Sequence, residues 1–257
     1  MNVFLAIVLA NIASTAVSLT LAALLSFRWL SGLVDRLVHV SIGLLLTTAL
    51  VHIVPEALAG GLPPVTLGWT LLAGILGLFV LEKMTLVHHT HHHEGDGHQH
   101  AHGHDAHQLG RGALPILVAD ALHNFTDGVV IAAAFLVDVR AGIVTALAVL
   151  AHEIPHEIGD FMILLNAGIS RGRSFVFMML SGTSAVLGGI AGFFVLDRAQ
   201  TLLPYALAIA AASFIYIALS DLLPELMRRS SLRKSLPEVG FVLLGVAIAL
   251  AAMAPVD

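Results

Sequence analysis

The sequence predicts an all-α integral membrane protein with eight transmembrane helices in a 3+2+3 inverted-repeat architecture. Three observations carry this expectation. First, 58% of the 257 residues are hydrophobic and only 11% are charged, against roughly 25% charged in a soluble domain. A water-exposed fold this apolar would lack the polar surface to cover itself. Second, eight segments are long and apolar enough for a hydrocarbon core, which needs about 20 residues per helix. Third, the ionisable residues inside those segments recur in matched pairs.

The eight spans are expected at about 2–26, 33–59, 65–87, 113–137, 141–168, 174–196, 202–227 and 237–256, together forming one domain over 1–257. Turn or charge signals mark the breaks: "FRWLSG", "GGLPP", a histidine-rich run, "VDVRAG", "SRGRS", "LDRAQT" and "RRSSLRKS". The first span lacks a basic leader and a small-residue cleavage site, so it reads as a retained helix. Basic residues set the orientation. Arg28, Arg36, Lys83, Arg111, Arg171, Arg173, Arg228, Arg229, Arg233 and Lys234 fall on one side, and only Arg140 and Arg198 on the other. Both termini are therefore expected outside, with the loop between spans 3 and 4 in the cytoplasm.

Composition excludes several chemistries. There are no cysteines, hence no disulfide, thiolate site or cysteine nucleophile. A formal charge of −5 offers no nucleic-acid footprint. Nothing points to an organic cofactor; the expected partners are divalent metal ions and the lipid bilayer, and a homodimer is compatible with this reading.

An ionisable group in a membrane helix is costly and is a functional hypothesis by default. Span 4 contains "DALHNFTDG", with Asp120, His123, Asn124 and Asp127. Span 5 contains "HEIPHEIGD", with His152, Glu153, His156, Glu157 and Asp160. At about 100° per residue each set occupies one helical face. Both sets fall near the bilayer midplane, so two opposed helices can bring their ligands to one depth. The second pair is "ALVHIVPEAL" in span 2 and "ALSDLLPEL" in span 7. His52 aligns with Asp221, Pro55 with Pro224 and Glu56 with Glu225. Spans 1–3 and 6–8 thus read as an inverted repeat around a central 4–5 pair, a common transporter plan. Pro55, Pro155 and Pro224 each free a carbonyl beside a polar residue, a defect tolerated where it lines a cavity.

Imidazole and carboxylate without thiolate suit zinc, iron(II), manganese, cobalt or nickel; copper(I) would want sulfur. Zinc is the first choice, as substrate rather than resident cofactor, with Fe2+, Mn2+, Co2+ and Cd2+ as alternatives. The faces offer more than four ligands, so two adjacent ions sharing Asp127 or His156 also fit. Asp120 and Asp160 are expected to orient histidine rings rather than to bind the ion. His52, Glu56, Asp221 and Glu225 are expected along the pathway. Blander readings exist: His123 and Asp127 as a hydrogen-bonded pair tying helices together, or Glu56 and Glu225 as caps of bent helices. The segment 88–112 reads as a disordered cytoplasmic loop. Its His88, His89, His91, His92, His93, His98, His100, His102, His104 and His107 suit a low-affinity metal buffer.

"HEIPH" also fits the H-E-x-x-H of zinc proteases, in which a regular helix presents both histidines and Glu is the general base. Pro155 would disturb that helix, and no downstream span offers a plausible DG-type partner as third ligand. A cation diffusion facilitator would have six spans and a soluble C-terminal domain.

These motifs resemble the ZIP (Zrt/Irt-like) family of divalent metal transporters. "HNFTDG" matches the family's fourth-helix pattern, and "HEIPHEIGD" matches the fifth-helix signature of the LIV subfamily at every fixed position. The resemblance implies metal import towards the cytoplasm through a pore lined by helices 2, 4, 5 and 7. It also implies a binuclear site with His123, Asn124, Asp127, His152, Glu153 and His156 as ligands. His52 would be an auxiliary or entry residue. Glu157 stands where a glycine is frequent outside the subfamily. Many relatives carry a helix 6 carboxylate contacting the second metal; span 6 here has none. Animal members often have a large outer N-terminal domain not seen here, which suggests a minimal version in a bacterial inner (plasma) membrane.

Overall fold

The computed structural model describes residues 2–25, 31–90, 106–222 and 232–254, all α-helix, π-helical or 3-10 turn and short connections. Helix α1 is Val3–Leu25. Span 2 is α2 (Ser31–Thr47), a π-helical turn (Thr48–Ile53) and α3 (Val54–Ala59). Spans 3 to 6 are α4 (Pro64–Thr90), α5 (Ala106–Val137), α6 (Val139–Asn166) and α7 (Arg171–Arg198). Span 7 is α8 (Leu203–Ile217) followed by a second π-helical turn (Ala218–Leu222), and span 8 is α9 (Leu232–Met253). Each expected span has its helix. Segment 88–112 is shorter as a loop than expected: 88–90 and 106–112 are helical. His91 to His104 lie outside the described residues, and of His88, His89 and His107 only the backbone is described.

Six helical stretches are long and apolar enough to cross a bilayer, and α4 contributes a shorter apolar one, Pro64–Val80. Helix α6 is equally long but carries Glu153, Glu157 and Asp160. Large apolar side chains such as Leu9, Trp69, Leu187 and Leu236 face outward, as a lipid-embedded surface requires.

The helix pairings carry the inverted repeat. Helix α5 packs chiefly on α7, and α6 on α1; α2 packs on α9, and α8 on α4. Exchanging spans 1–3 with 6–8, and 4 with 5, maps each pairing onto its counterpart. Glycines set two of the crossings. A Cβ on Gly128 would strike the Ala185 carbonyl, and one on Gly188 the Phe125 carbonyl, so α5 and α7 touch backbone to backbone. Gly43 and Gly245 do the same for α2 and α9, against the Val242 and Val40 carbonyls. Without a hydrophobic driving force between helices in lipid, such close approach is what holds them.

The π-helical turns are a departure from the simple proline bends expected. Pro55 has no N–H for the Val51 carbonyl, and Pro224 none for Ser220. In span 2 the chain widens by one residue per turn just before the proline, and the Val54 N–H reaches Ala49. Both turns fall at the matched motifs, around His52 and Asp221, where π-bulges are frequently functional.

Helix ends follow local rules. Asp138 separates α5 from α6 and caps α6, its side chain accepting from the Arg140 and Ala141 amides at 2.6 and 2.9 Å. Gly61 and Gly168, at φ 91° and 78°, close α3 and α6. The Leu62 N–H donates to Ala57 O, and the Ile169 N–H to Leu164 O. This is the six-to-one bond of a Schellman motif, which needs the left-handed backbone glycine allows.

Candidate metal centre

The single-residue turn at Asp138 makes α5 and α6 antiparallel neighbours and sets the depth of every polar residue on them. His123 lies fifteen residues before Asp138; His152 and Glu153 lie fourteen and fifteen after it. At 1.5 Å per residue all three sit about 21–23 Å from the turn. Asp127 lies one turn nearer. Ligand atoms of His123, Asp127, His152 and Glu153 all fall within 4.8 Å of one another.

Contacts within this group are short. His152 Nε2 is 3.1 Å from Asp127 Oδ2 and 3.3 Å from His123 Nε2. His123 Nε2 is 3.4 Å from Glu153 Oε1 and 3.8 Å from Asp127 Oδ2. His152 Nδ1 faces the Ala148 carbonyl at 3.1 Å. A carbonyl only accepts, so Nδ1 carries the proton and Nε2 keeps its lone pair for an ion. Asp127, His152 and Glu153 are all buried, at 1–3% exposure. Among the described residues, no hydrogen-bond donor serves the carboxylate oxygens of Asp127 or Glu153. Two buried carboxylates without donors are strongly disfavoured unless a cation compensates them. Two imidazole nitrogens and two carboxylates are a donor set suited to a tetrahedral divalent ion such as zinc.

Pro155 has a specific partner. Its missing N–H leaves the Ala151 carbonyl unbonded within α6, one residue before His152. Ser41 Oγ of α2 lies 2.5 Å from that carbonyl and 2.8 Å from Leu37 O, so its one hydroxyl proton is available to either acceptor. Sequence reasoning saw the freed carbonyl but not its donor, because nothing local links residue 41 to residue 151.

The remaining residues lie beside this group. His156 has ligand atoms within 4.8 Å of those of Asp120 and Asp160, and its ring centroid is 5.0 Å from that of His123. Asp160 Oδ2 lies 3.6 Å from His156 Nδ1, beyond hydrogen-bond length. Asp120 Oδ1 accepts from Asn124 Nδ2 at 2.9 Å. That bond commits the Asn124 amide nitrogen and leaves only its Oδ1 for an ion. Glu157 is buried at 1% exposure, with no hydrogen-bond partner on either carboxylate oxygen. Among the described residues His52 and Glu56 join neither group. The Asp221 side chain and all of Glu225 lie outside the described residues.

Fold and site together define an integral membrane protein with a buried His/carboxylate cluster between two central helices, of a composition that could hold a divalent cation. The chain belongs to the ZIP zinc transporter family, whose model matches residues 86–253. It is 40% identical over 159 residues to "Zinc transporter foi" of Drosophila melanogaster, covering 62% of this chain and 22% of that protein. It is 40% identical to human "Zinc transporter ZIP10" over 112 residues, 44% of this chain and 14% of that one. Similarity to "Zinc transporter ZIP13" of Pongo abelii extends further, 31% over 232 residues, covering 83% of this chain and 65% of the relative. The chain spans less than a quarter of the fly and human proteins' lengths. The family is one of transporters, so H-E-x-x-H here is not a protease signature.

Proposed function

We propose that the chain transports divalent cations, zinc first, across the membrane towards the cytoplasm, binding them between α5 and α6 at His123, Asp127, His152 and Glu153. The observation that carries this reading is the pair of buried carboxylates, Asp127 and Glu153, facing two imidazole nitrogens with no hydrogen-bond donor of their own. The printed names of the relatives, all zinc transporters, support zinc as substrate. Iron(II), manganese, cobalt and cadmium satisfy the same donors and are alternative cargo. In this reading an ion sheds water near His52 and Glu56, binds as described, and leaves past Asp221 and Glu225. Asn124 contributes its Oδ1 to the centre.

Direction and orientation rest on the ten basic residues of one side against two on the other. They place the histidine run 88–107 in the cytoplasm, as a weak buffer for arriving ions. The bacterial inner membrane expected from the sequence is proposed on that ground alone; the relatives compared are animal proteins.

Zinc flux into proteoliposomes, read with an internal fluorescent chelator, tests the assignment. His152→Ala and Asp127→Asn should each reduce initial uptake by one to two orders of magnitude, roughly the cost of removing a binding partner at such a site. Wild-type flux in both variants would sink the assignment.

A further inference from the structure

Helices α5 and α7 enclose a groove of about 430 Å³ between their N-terminal halves, a volume in the range of small-ligand sites. Its α5 residues are centred about 140° around that helix from the face carrying Asp120, His123 and Asp127, so it opens away from the metal centre. The tight crossing of Gly188 on the Phe125 carbonyl lies at one end. Val118, Leu122, Phe125, Phe177 and Leu180 form exposed walls. Two serines lie in the floor, and both hydroxyls are committed within the protein. Ser181 Oγ is 3.2 Å from Leu117 O, and Ser184 Oγ is 2.6 Å from both the Ala121 and Ser181 carbonyls. An occupant therefore meets hydrocarbon. Charge is added at the other end. Arg173 is exposed in the first turn of α7. At about 100° per residue, Phe177, Leu180 and Ser184 all fall within about 40° of it, so the guanidinium and the groove share one row. The backbone of α5 carries Arg111 in the same row as Val118, seven residues before it. From Arg173 to Ser184 is eleven residues, about 16 Å. That is the depth of one leaflet of a hydrocarbon core about 30 Å thick.

We propose that this groove is a binding site for one anionic phospholipid of the leaflet on the basic-residue side. One acyl chain lies along Phe177, Leu180 and Ser184, and the phosphate meets Arg173. Three matches carry the assignment: an apolar channel with no free donor, a cation in line with its mouth, and a length equal to one leaflet. A basic residue at the mouth of a groove between membrane helices selects the headgroup, whereas the apolar walls hold any acyl chain alike. Seated there, the lipid braces α5 against α7 behind the face that carries His123, Asn124 and Asp127.

Native mass spectrometry of the detergent-solubilised full chain tests this, with dioleoyl phosphatidylglycerol and dioleoyl phosphatidylcholine as probes. The wild type should retain one phosphatidylglycerol per chain, about fivefold more readily than phosphatidylcholine, the effect of roughly one interfacial arginine. Arg173→Gln should abolish that preference. Arg36→Gln removes a cation of the same membrane side that lies over Phe241 instead, and should leave the preference intact. Two further variants address the groove itself. Ala121→Leu fills its floor, and Leu180→Asn places an amide on a wall that is already exposed. Each should lower retention of both lipids while keeping the folded peak on size-exclusion chromatography. Equal retention of the two lipids by the wild type would overturn the proposal. So would an equal loss of preference in Arg173→Gln and Arg36→Gln, since the lipid would then be held by general surface charge. A drop in oligomeric mass in Ala121→Leu with lipid retention unchanged would make the groove a seat for a second copy of the chain, and would also overturn it.

Discussion

At the scale of single residues, the centre is a contest between burial and charge. Asp127 and Glu153 are taken out of water and given neither a hydrogen-bond donor nor a lysine or arginine. Their partners are imidazoles, which compensate them either by taking up protons or by sharing a metal ion. Protons and zinc therefore compete for the same nitrogens. Zinc uptake into vesicles should fall as external pH is lowered from 7 to 5, and the zinc concentration for half-maximal uptake should rise. A pH-independent concentration dependence would show that the imidazoles are not ligands. The tautomer of His152 belongs to this scale too: the Ala148 carbonyl holds Nδ1–H and leaves the Nε2 lone pair facing the cluster.

At the scale of elements, α6 is bent at Pro155 and repaired from outside. Ser41 of α2 supplies the donor that Pro155 lacks, at the carbonyl adjoining His152. Ser41→Ala leaves Ala151 O unbonded in a dry interior and should destabilise the detergent-solubilised protein by about 1 kcal/mol, measured by thermal or denaturant unfolding. It should also slow transport, because the first ligand of α6 loses its support. Ser41→Thr keeps the hydroxyl and should retain more stability than Ser41→Ala; equal loss in both would point to packing rather than the hydrogen bond. The crossings obey a different rule. Gly188 meets the Phe125 carbonyl of α5 directly, so Gly188→Leu must push α7 away from the helix that carries His123, Asn124 and Asp127. Such overpacking in a tight interface is destabilising. The expected result is loss of the folded peak on size-exclusion chromatography, whereas Gly172→Ala, with open space at its Cβ, should behave as wild type.

At the scale of the whole molecule, pseudo-symmetry puts the site where it is. Paired helices α5 with α7 and α6 with α1, and α2 with α9 and α8 with α4, surround two central helices whose polar faces meet. The four residues of the proposed centre, His123, Asp127, His152 and Glu153, come from the two central helices of one chain. The same architecture makes orientation testable, because the chain contains no cysteine. Single cysteines at His98→Cys and Gln200→Cys should label from opposite sides with an impermeant maleimide. In right-side-out vesicles residue 200 should react and residue 98 should not. The reverse pattern would invert the direction of import argued from the basic residues.

Sequence alone determined much of this protein, for reasons rooted in the solvent. In lipid, apolar length marks each span, and a charged residue is too expensive to be incidental, so Asp120, His123, Asp127, His152, Glu153, His156, Glu157 and Asp160 were all legible as functional candidates. The matched prolines revealed the repeat, and residue counts from the ends of two opposed spans implied that α5 and α6 bring their polar residues to one depth. What the sequence left open is how those residues divide. A helical face groups side chains by angle, and residues four apart, such as His123 with Asp127 or His152 with His156, can share one ion. The packing of α5 against α6 brings His123, Asp127, His152 and Glu153 together, and Asp120, His156 and Asp160 together. The π-helical turns before Pro55 and Pro224, and the reach of Ser41 to Ala151, likewise depended on neighbouring helices. Those contacts join residues far apart in the chain, and no local periodicity encodes them.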